Sequence, residues 1–214
     1  MIKKFFNYFK TSFINVFIIK GKIKKIMKKY PLLTFKCAAF LIRARKDKTV
    51  LVEKNNRSVG ASSAIYYDII NNMSKNKQYL SLLITHNNHS KQYHINEMAK
   101  LLVKCGIKPI VRMGNCIIVE NTRGNHIIKF MTYSNVAEGR LFDYSNYNIY
   151  CDDTSLIDEQ NISDVMRELI YIHRYSNVKI INKLLIVLDK EKNEINNKII
   201  NHINGFLKPK KYCL

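Results

Sequence analysis

Between residues 53 and 67 the chain reads E-K-N-N-R-S-V-G-A-S-S-A-I-Y-Y, a segment with the makings of a phosphate-binding loop. The apolar run Thr49-Val50-Leu51-Val52 enters it, and residues with helical apolar spacing leave it. A strand–loop–helix of this kind wraps backbone N–H groups around phosphates, aims a helix N-terminus at them and offers a hydroxyl to Mg²⁺. The usual spacing is G-x-x-x-x-G-K-[ST]. Gly60 and Ser62 fit it, while Asn55 stands at the first glycine and Ala61 at the lysine.

A loop of this type needs an acid from a second strand to reach the cation, and often another acid to activate water. Tyr147-Asn148-Ile149-Tyr150-Cys151-Asp152-Asp153 supplies both. Asp152 is placed to orient Mg²⁺, directly or through water, and Asp153 stands where a general base would stand. The competing reading is structural: two acids end a strand beside a helix N-terminus, where negative charge is favoured.

Other constellations carry less chemistry. His86, His89 and His94 invite a metal reading. His86 and His89, however, sit in a T-H-N-N-H-S loop with no cysteine or carboxylate at ligand spacing until Glu97, so a polar loop after a strand is the plainer reading. Ser62 or Ser63 with a distant histidine lacks the G-x-S-x-G elbow of a hydrolase. Tyr66, Tyr67, Tyr144, Tyr147 and Tyr150 could stack on bases, but half-buried packing is the plainer reading.

These groups must be positioned by the elements around them. Strands are expected at 49–53, 79–85, 116–120, 126–132, 147–151 and within 178–187. Helices are expected at 32–45, 62–73, 95–105, 162–174 and 191–207, with Gly106 stopping the third. The strands around 121–125 form a hairpin. Apolar strands alternating with helices give an α/β fold, a mainly parallel sheet sandwiched by helices. Three regions follow: a basic helical N-terminal extension (1–46), a P-loop ATPase-like core (47–190), and a C-terminal helix with a basic tail (191–214).

The 214 residues can bury one good core, and 47% of them are apolar, which excludes a disordered chain. The formal charge of +20 calls for a polyanionic partner, either nucleic acid or an anionic membrane face. Residues 1–46 contain no Asp or Glu, and Phe5, Phe6, Phe9, Phe13, Ile14, Phe17 and Ile18 lie near helical spacing among lysines. That is a basic amphipathic helix that packs on the core, contacts DNA or lies on a membrane surface. It is too short to span a bilayer, and no signal-peptide cleavage site follows it. The five cysteines are scattered and form no C-x-x-C pair, as in a reduced intracellular protein. Cys37, Cys105 and Cys151 read as small buried apolar residues.

The segment Arg57-Ser58-Val59-Gly60-Ala61-Ser62-Ser63 resembles the R-Q-x-G-K-[ST]-[ST] loop of the large terminase subunits, the DNA-packaging motors of viruses and phages. Ala137-Glu138-Gly139-Arg140-Leu141-Phe142-Asp143 is similar to the G-R-x-x-D lead-in to their Mg²⁺ strand, and Phe130-Met131-Thr132-Tyr133-Ser134 looks like the strand before it. The resemblance covers roughly residues 45–190. It implies a P-loop ATPase that binds ATP and Mg²⁺, with Asn56, Arg57, Gly60, Ala61, Ser62 and Ser63 around the nucleotide. Ser62 and Asp152 would hold the metal, and Asp153 and Arg57 would be catalytic. It also implies double-stranded DNA as partner, a homo-oligomeric ring, and portal, small-terminase and separate nuclease partners in an infected cell's cytoplasm. The chain departs from that pattern at Ala61 and Asp153, which replace lysine and glutamate, and no nuclease-like segment follows. Two further function classes fit the same residues: a nucleic-acid-binding module with a degenerate P-loop fold, and a basic protein peripheral to membranes.

Overall fold

The computed structural model describes residues 35–44, 47–55, 60–112, 115–120, 124–141, 144, 146–175 and 183–214. The expected amphipathic helix of residues 1–30 lies outside them, as do Asn56, Arg57, Phe142 and Asp143. Helix α1 (Phe35–Arg43) leads to strand β1 (Thr49–Lys54), helix α2 (Ala61–Met73) and strand β2 (Leu80–Thr85). Helix α3 (Asn88–Lys104) is followed by β3 (Pro109–Arg112), β4 (Cys116–Val119) and β5 (His126–Thr132). A short α4 (Tyr133–Ala137), β6 (Asn148–Cys151), α5 (Ile162–Tyr175), β7 (Leu184–Asp189), α6 (Asn193–Phe206) and β8 (Lys210–Cys213) complete the order.

These strands form one sheet in the order β3-β4-β5-β2-β6-β7-β1-β8. From β5 to β8 every neighbouring pair is parallel, and only β3–β4 and β4–β5 are antiparallel. The expected mainly parallel sheet is therefore present, with the expected hairpin as β4 and β5. Parallel strands place their carboxyl ends on one edge, where α/β sheets bind ligands. Strand β7 lies between β1 and β6, so the loop strand and the acidic strand are two steps, roughly 10 Å, apart.

Alternation along each strand assigns side chains to faces. Val50 and Val52 pack with α1, α2 and α3, whereas Leu51 packs with α5 and α6. Leu83 and Tyr150 belong to the first cluster. Continuing by twos puts Lys54, Thr85 and Asp152 on the same face as α2 and α3, at the carboxyl edge. Helix α5 buries Ile162, Val165, Met166 and Leu169, an i, i+3, i+4, i+7 stripe, against the opposite face.

Besides the short, unexpected α4, four elements differ from expectation. Helix α3 begins at Asn88 and not at 95, because the Asn87 side chain caps it, accepting from Ser90 N–H at 2.9 Å. Its first two turns are largely polar and exposed, so apolar periodicity does not reveal them. His89 therefore lies on a helix, correcting its placement in a loop, and His94 lies on the same helix. Strand β3 is an unexpected edge strand, too short for alternation to show. Strand β7 occupies the end of the 178–187 window and runs on to Asp189. Within the basic tail, Lys210–Cys213 form β8, paired in parallel with β1.

The expected small cysteines Cys37 and Cys151 are buried, whereas Cys105 is half-buried. Tyr66, Tyr67, Tyr147 and Tyr150 are buried packing residues. No helix among the described residues is long and apolar enough to cross a membrane.

Candidate functional site

Strand β1 ends on Lys54, a charged residue only 5% exposed, at the point where the chain leaves the sheet for the loop. Its Nζ donates to Oδ1 of Asp153, beyond the end of β6. Gly60, immediately before α2, has a left-handed φ of 81°. Glycine is required there for two reasons. An L side chain is strained at that φ, and a Cβ would lie 3.2 Å from Cys37 Sγ on α1. That thiol donates to the Gly60 carbonyl at 3.3 Å, which ties the loop's exit to α1.

Gly60 is also the N-cap of α2 and has no side chain with which to occupy the first-turn N–H groups. Ala61, the position of the usual lysine, is 5% exposed and packs in the core cluster of α1 and α2. A lysine in that place would bury its stem among apolar side chains. Ser62 is half-buried and donates its hydroxyl proton to Oδ2 of Asp152, whereas Ser63 is exposed.

Asp152 follows β6 and is completely buried. Its N–H donates to Ile84 C=O of β2 at 2.9 Å, and its own C=O accepts from Tyr133 O–H at 2.9 Å. Its Oδ1 accepts from the Asp153 N–H at 3.0 Å. That bond turns the chain sharply: Asp153 has φ 51°, and among the described residues it is the one non-glycine with positive φ. Strained backbone of this kind persists where the surroundings over-determine it, and it concentrates at functional sites. Burial raises the Asp152 carboxyl above the usual carboxylate range, and the nearby Asp153 charge adds to this. His94, Ser62 and Lys54 pull against that rise.

Two side chains from outside the two motifs complete the cluster. His94 of α3 is 3% exposed and brings Nε2 to 3.6 Å from Asp152 Oδ2. Its Nδ1 is hydrogen-bonded to the Tyr66 hydroxyl. Burial lowers the His94 pKa and raises that of Tyr66, so both favour their neutral forms. Thr85, at the end of β2 and level with Asp152, is fully buried, and its hydroxyl has no partner among the described residues. An unsatisfied buried hydroxyl costs about 1–3 kcal/mol.

A buried network fixes α2 over the sheet. Lys183 Nζ, just before β7, is 3.0 Å from Asp68 Oδ2 on α2, and that oxygen also accepts from Tyr150 O–H of β6 at 2.8 Å. The helix that carries Ser62 is thereby tied to the strand that leads to Asp152.

The fold thus brings together Gly60, Ala61, Ser62, Asp152 and Asp153 from the expected set. Asn56 and Arg57 lie outside the described residues. Arg140 is not at the site; it is exposed and pairs with Glu138 at 2.7 Å. Sequence reasoning misses Lys54, His94, Tyr66 and Thr85. For Lys54 the available signal is a lysine closing a β-branched apolar strand immediately before the loop. A separate cleft of about 870 Å³, lined in part by Lys75, Lys77, Lys108 and His126, shares no residue with this cluster.

No protein-family model matches the chain, and no curated protein matches it. Solved structures do. The chain is similar over 89% of its length to the large terminase of a thermophilic bacteriophage (crystal form 2), with TM-score 0.55 and 10% identity. Crystal form 3 of that terminase, in complex with ADP, gives TM-score 0.54 with the same identity and coverage. The match spans 44% of the terminase chain, so this chain corresponds to a little under half of it. At this identity the likeness is one of architecture: the chain has a terminase-like α/β fold.

Proposed function

We propose that this chain is the ATPase domain of a DNA-packaging motor of the large-terminase type, binding ATP with Mg²⁺ and acting on double-stranded DNA. One observation carries the reading: Ser62 at the head of α2 and Asp152 beyond β6 meet through a hydrogen bond, with Lys54 and Asp153 paired beside them. The ADP bound to the phage terminase supports the choice of nucleotide.

The donor set suits Mg²⁺. A hydroxyl has one proton and two lone pairs, so Ser62 can donate to Asp152 and still offer a lone pair to a cation. Mg²⁺ is held at nucleotide sites by one or two protein oxygens, the remainder being phosphate and water. Among the described residues no three His, Cys, Asp or Glu side chains converge in metal-binding geometry. When bound, Mg²⁺-ATP supplies the scissile phosphoanhydride and the cation that offsets its charge.

The chain's own groups have separable roles. Gly60 and the first turn of α2 present backbone N–H groups to phosphate, with Asn56, Arg57 and Ser63 completing the loop. Lys54 supplies the fixed positive charge missing at Ala61. Fixed charges of this kind are the main protein contribution to phosphoryl transfer. Asp153 acts as the general base because its side chain is 33% exposed, whereas that of Asp152 is sealed at 0%. Only Asp153 is in reach of an attacking water. In this reading the partners are double-stranded DNA, further copies of the chain in a ring, and the other packaging proteins.

Binding of a fluorescent ATP analogue, titrated with and without Mg²⁺, tests the assignment. Mg²⁺ should tighten binding to the wild type, and Ser62→Ala should remove that gain. Lys54→Ala should weaken binding about tenfold or more, the scale of one charge-assisted contact. Unaltered binding in both variants would sink the proposal. Measuring ATP hydrolysis with and without double-stranded DNA then separates a motor domain from a binding module.

A further inference from the structure

Asp152 has a neighbour that neither the loop nor the acidic strand supplies. His94 reaches it from α3, the helix after β2, and Tyr66 of α2 holds the far side of the imidazole. Tyr66 lies one helical turn after Ser62, so the two side chains leave the same face of α2. Ser62, Asp152, His94 and Tyr66 therefore close a ring of contacts spanning α2, α3 and β6.

The ring's contacts fix where the imidazole proton sits. A phenol can donate or accept, so the group facing the other nitrogen selects the tautomer: the Tyr66 O–H donates to Nδ1 and the proton is on Nε2. The opposite tautomer would aim a lone pair at a carboxylate, which is repulsive. The Nε2–H therefore faces Asp152 Oδ2 at 3.6 Å, too long for a hydrogen bond but close for a dipole directed at a buried charge. Asp152 Oδ1 is already engaged by the Asp153 N–H, so its carboxylate is oriented at both ends.

We infer that His94, oriented by Tyr66, is a positioning residue for the metal-side carboxylate: it holds Asp152 Oδ2 where Ser62 meets it, and so sets affinity for Mg²⁺ and not for the nucleotide. The inference rests on the Mg²⁺-nucleotide reading above. Outer-shell partners that orient a metal-site group change metal affinity by about 10–100-fold when removed, and a dipole contact longer than a hydrogen bond belongs at the low end of that range. An ordinary packing histidine would instead alter folding stability, and would affect binding with and without metal alike.

The test uses the full chain and a fluorescent ATP analogue, titrated with Mg²⁺ and separately in EDTA. His94→Leu is expected to raise the Mg²⁺ half-saturation about tenfold while leaving affinity in EDTA within about twofold of wild type. Tyr66→Phe keeps the ring and removes the donor, and should shift the Mg²⁺ curve the same way by a smaller factor. His94→Gln retains an N–H and should recover part of the loss. If His94→Leu fails to fold, Tyr66→Phe decides the matter. A Mg²⁺ curve unchanged in every folded variant overturns the inference alone. Equal weakening in EDTA and Mg²⁺ also overturns it, since the role is then structural. A wild type that binds no nucleotide at any Mg²⁺ concentration overturns the nucleotide reading and this inference with it.

Discussion

Asp152 is a carboxylate with no exposure to solvent. Because burial lifts its pKa, the folded protein binds more protons than the unfolded chain between the ordinary carboxyl value, near pH 4, and the raised one. Stability therefore falls as pH rises through that window and stays reduced at pH 7. Asp152→Asn removes the charge while keeping the shape, and is expected to melt above the wild type at pH 7, with the difference shrinking toward pH 4. For a chain of this size each 1 kcal/mol gained is about 2–4 °C. Scanning fluorimetry at the two pH values checks this, and a variant that melts lower at pH 7 would show that Ser62 and Lys54 more than offset the burial. Lys54 and Ala61 form a complementary pair of facts: the usual lysine position packs in the core, and a buried lysine ends β1 beside Asp153.

Strand β8 is the element that most alters the picture of the loop's support. It covers the edge of β1 with Val50 opposite Lys210 and Glu53 opposite Cys213, and Leu214 N–H donates to Glu53 C=O at 2.9 Å. Leu214 is buried, and Tyr212 packs edge-on against Phe40 of α1. Deleting residues 210–214 should cost about 3 kcal/mol or more from the burial of those two side chains. Urea denaturation measures it, and nucleotide binding should weaken as well, because β1 would lose one of its two neighbours. A deletion that leaves both unchanged would make β8 an ornament. None of this is legible in K-P-K-K-Y-C-L, which has neither alternation nor a β-branched run. The apolar strands β1, β2, β5 and β6 are legible because local chemistry dictates them, and so are Gly60, Ser62 and the acid pair, which belong to short motifs. Lys54, His94 and Thr85 are not, because their placement beside Asp152 and Asp153 depends on which strands become neighbours. A lysine at a strand end reads as solvated until β7 is found between β1 and β6.

For the molecule as a whole, 36 Lys and Arg against 16 Asp and Glu predict binding to a polyanion. If double-stranded DNA is that partner, the logarithm of affinity should fall linearly with the logarithm of salt, with a slope near −0.9 per phosphate contacted. About six contacts would lose roughly a thousandfold between 50 and 200 mM salt. Fluorescence anisotropy with a labelled duplex measures the slope, and an absence of binding at low salt would remove DNA from the proposal. The sheet order has one more consequence, which concerns the time at which the site comes into being. Among the described residues β1 pairs with β7 and β8 alone, so Thr49 meets Leu184 and Val50 meets Lys210 across most of the sequence. Contacts this distant close late and slow folding. During synthesis, β2, β5 and β6 can assemble while Thr49-Val50-Leu51-Val52 still lacks a partner strand. The segment that ends in Lys54 is thus the last central strand to be enclosed, and until then its apolar run is an open strand edge of the kind that aggregates during folding.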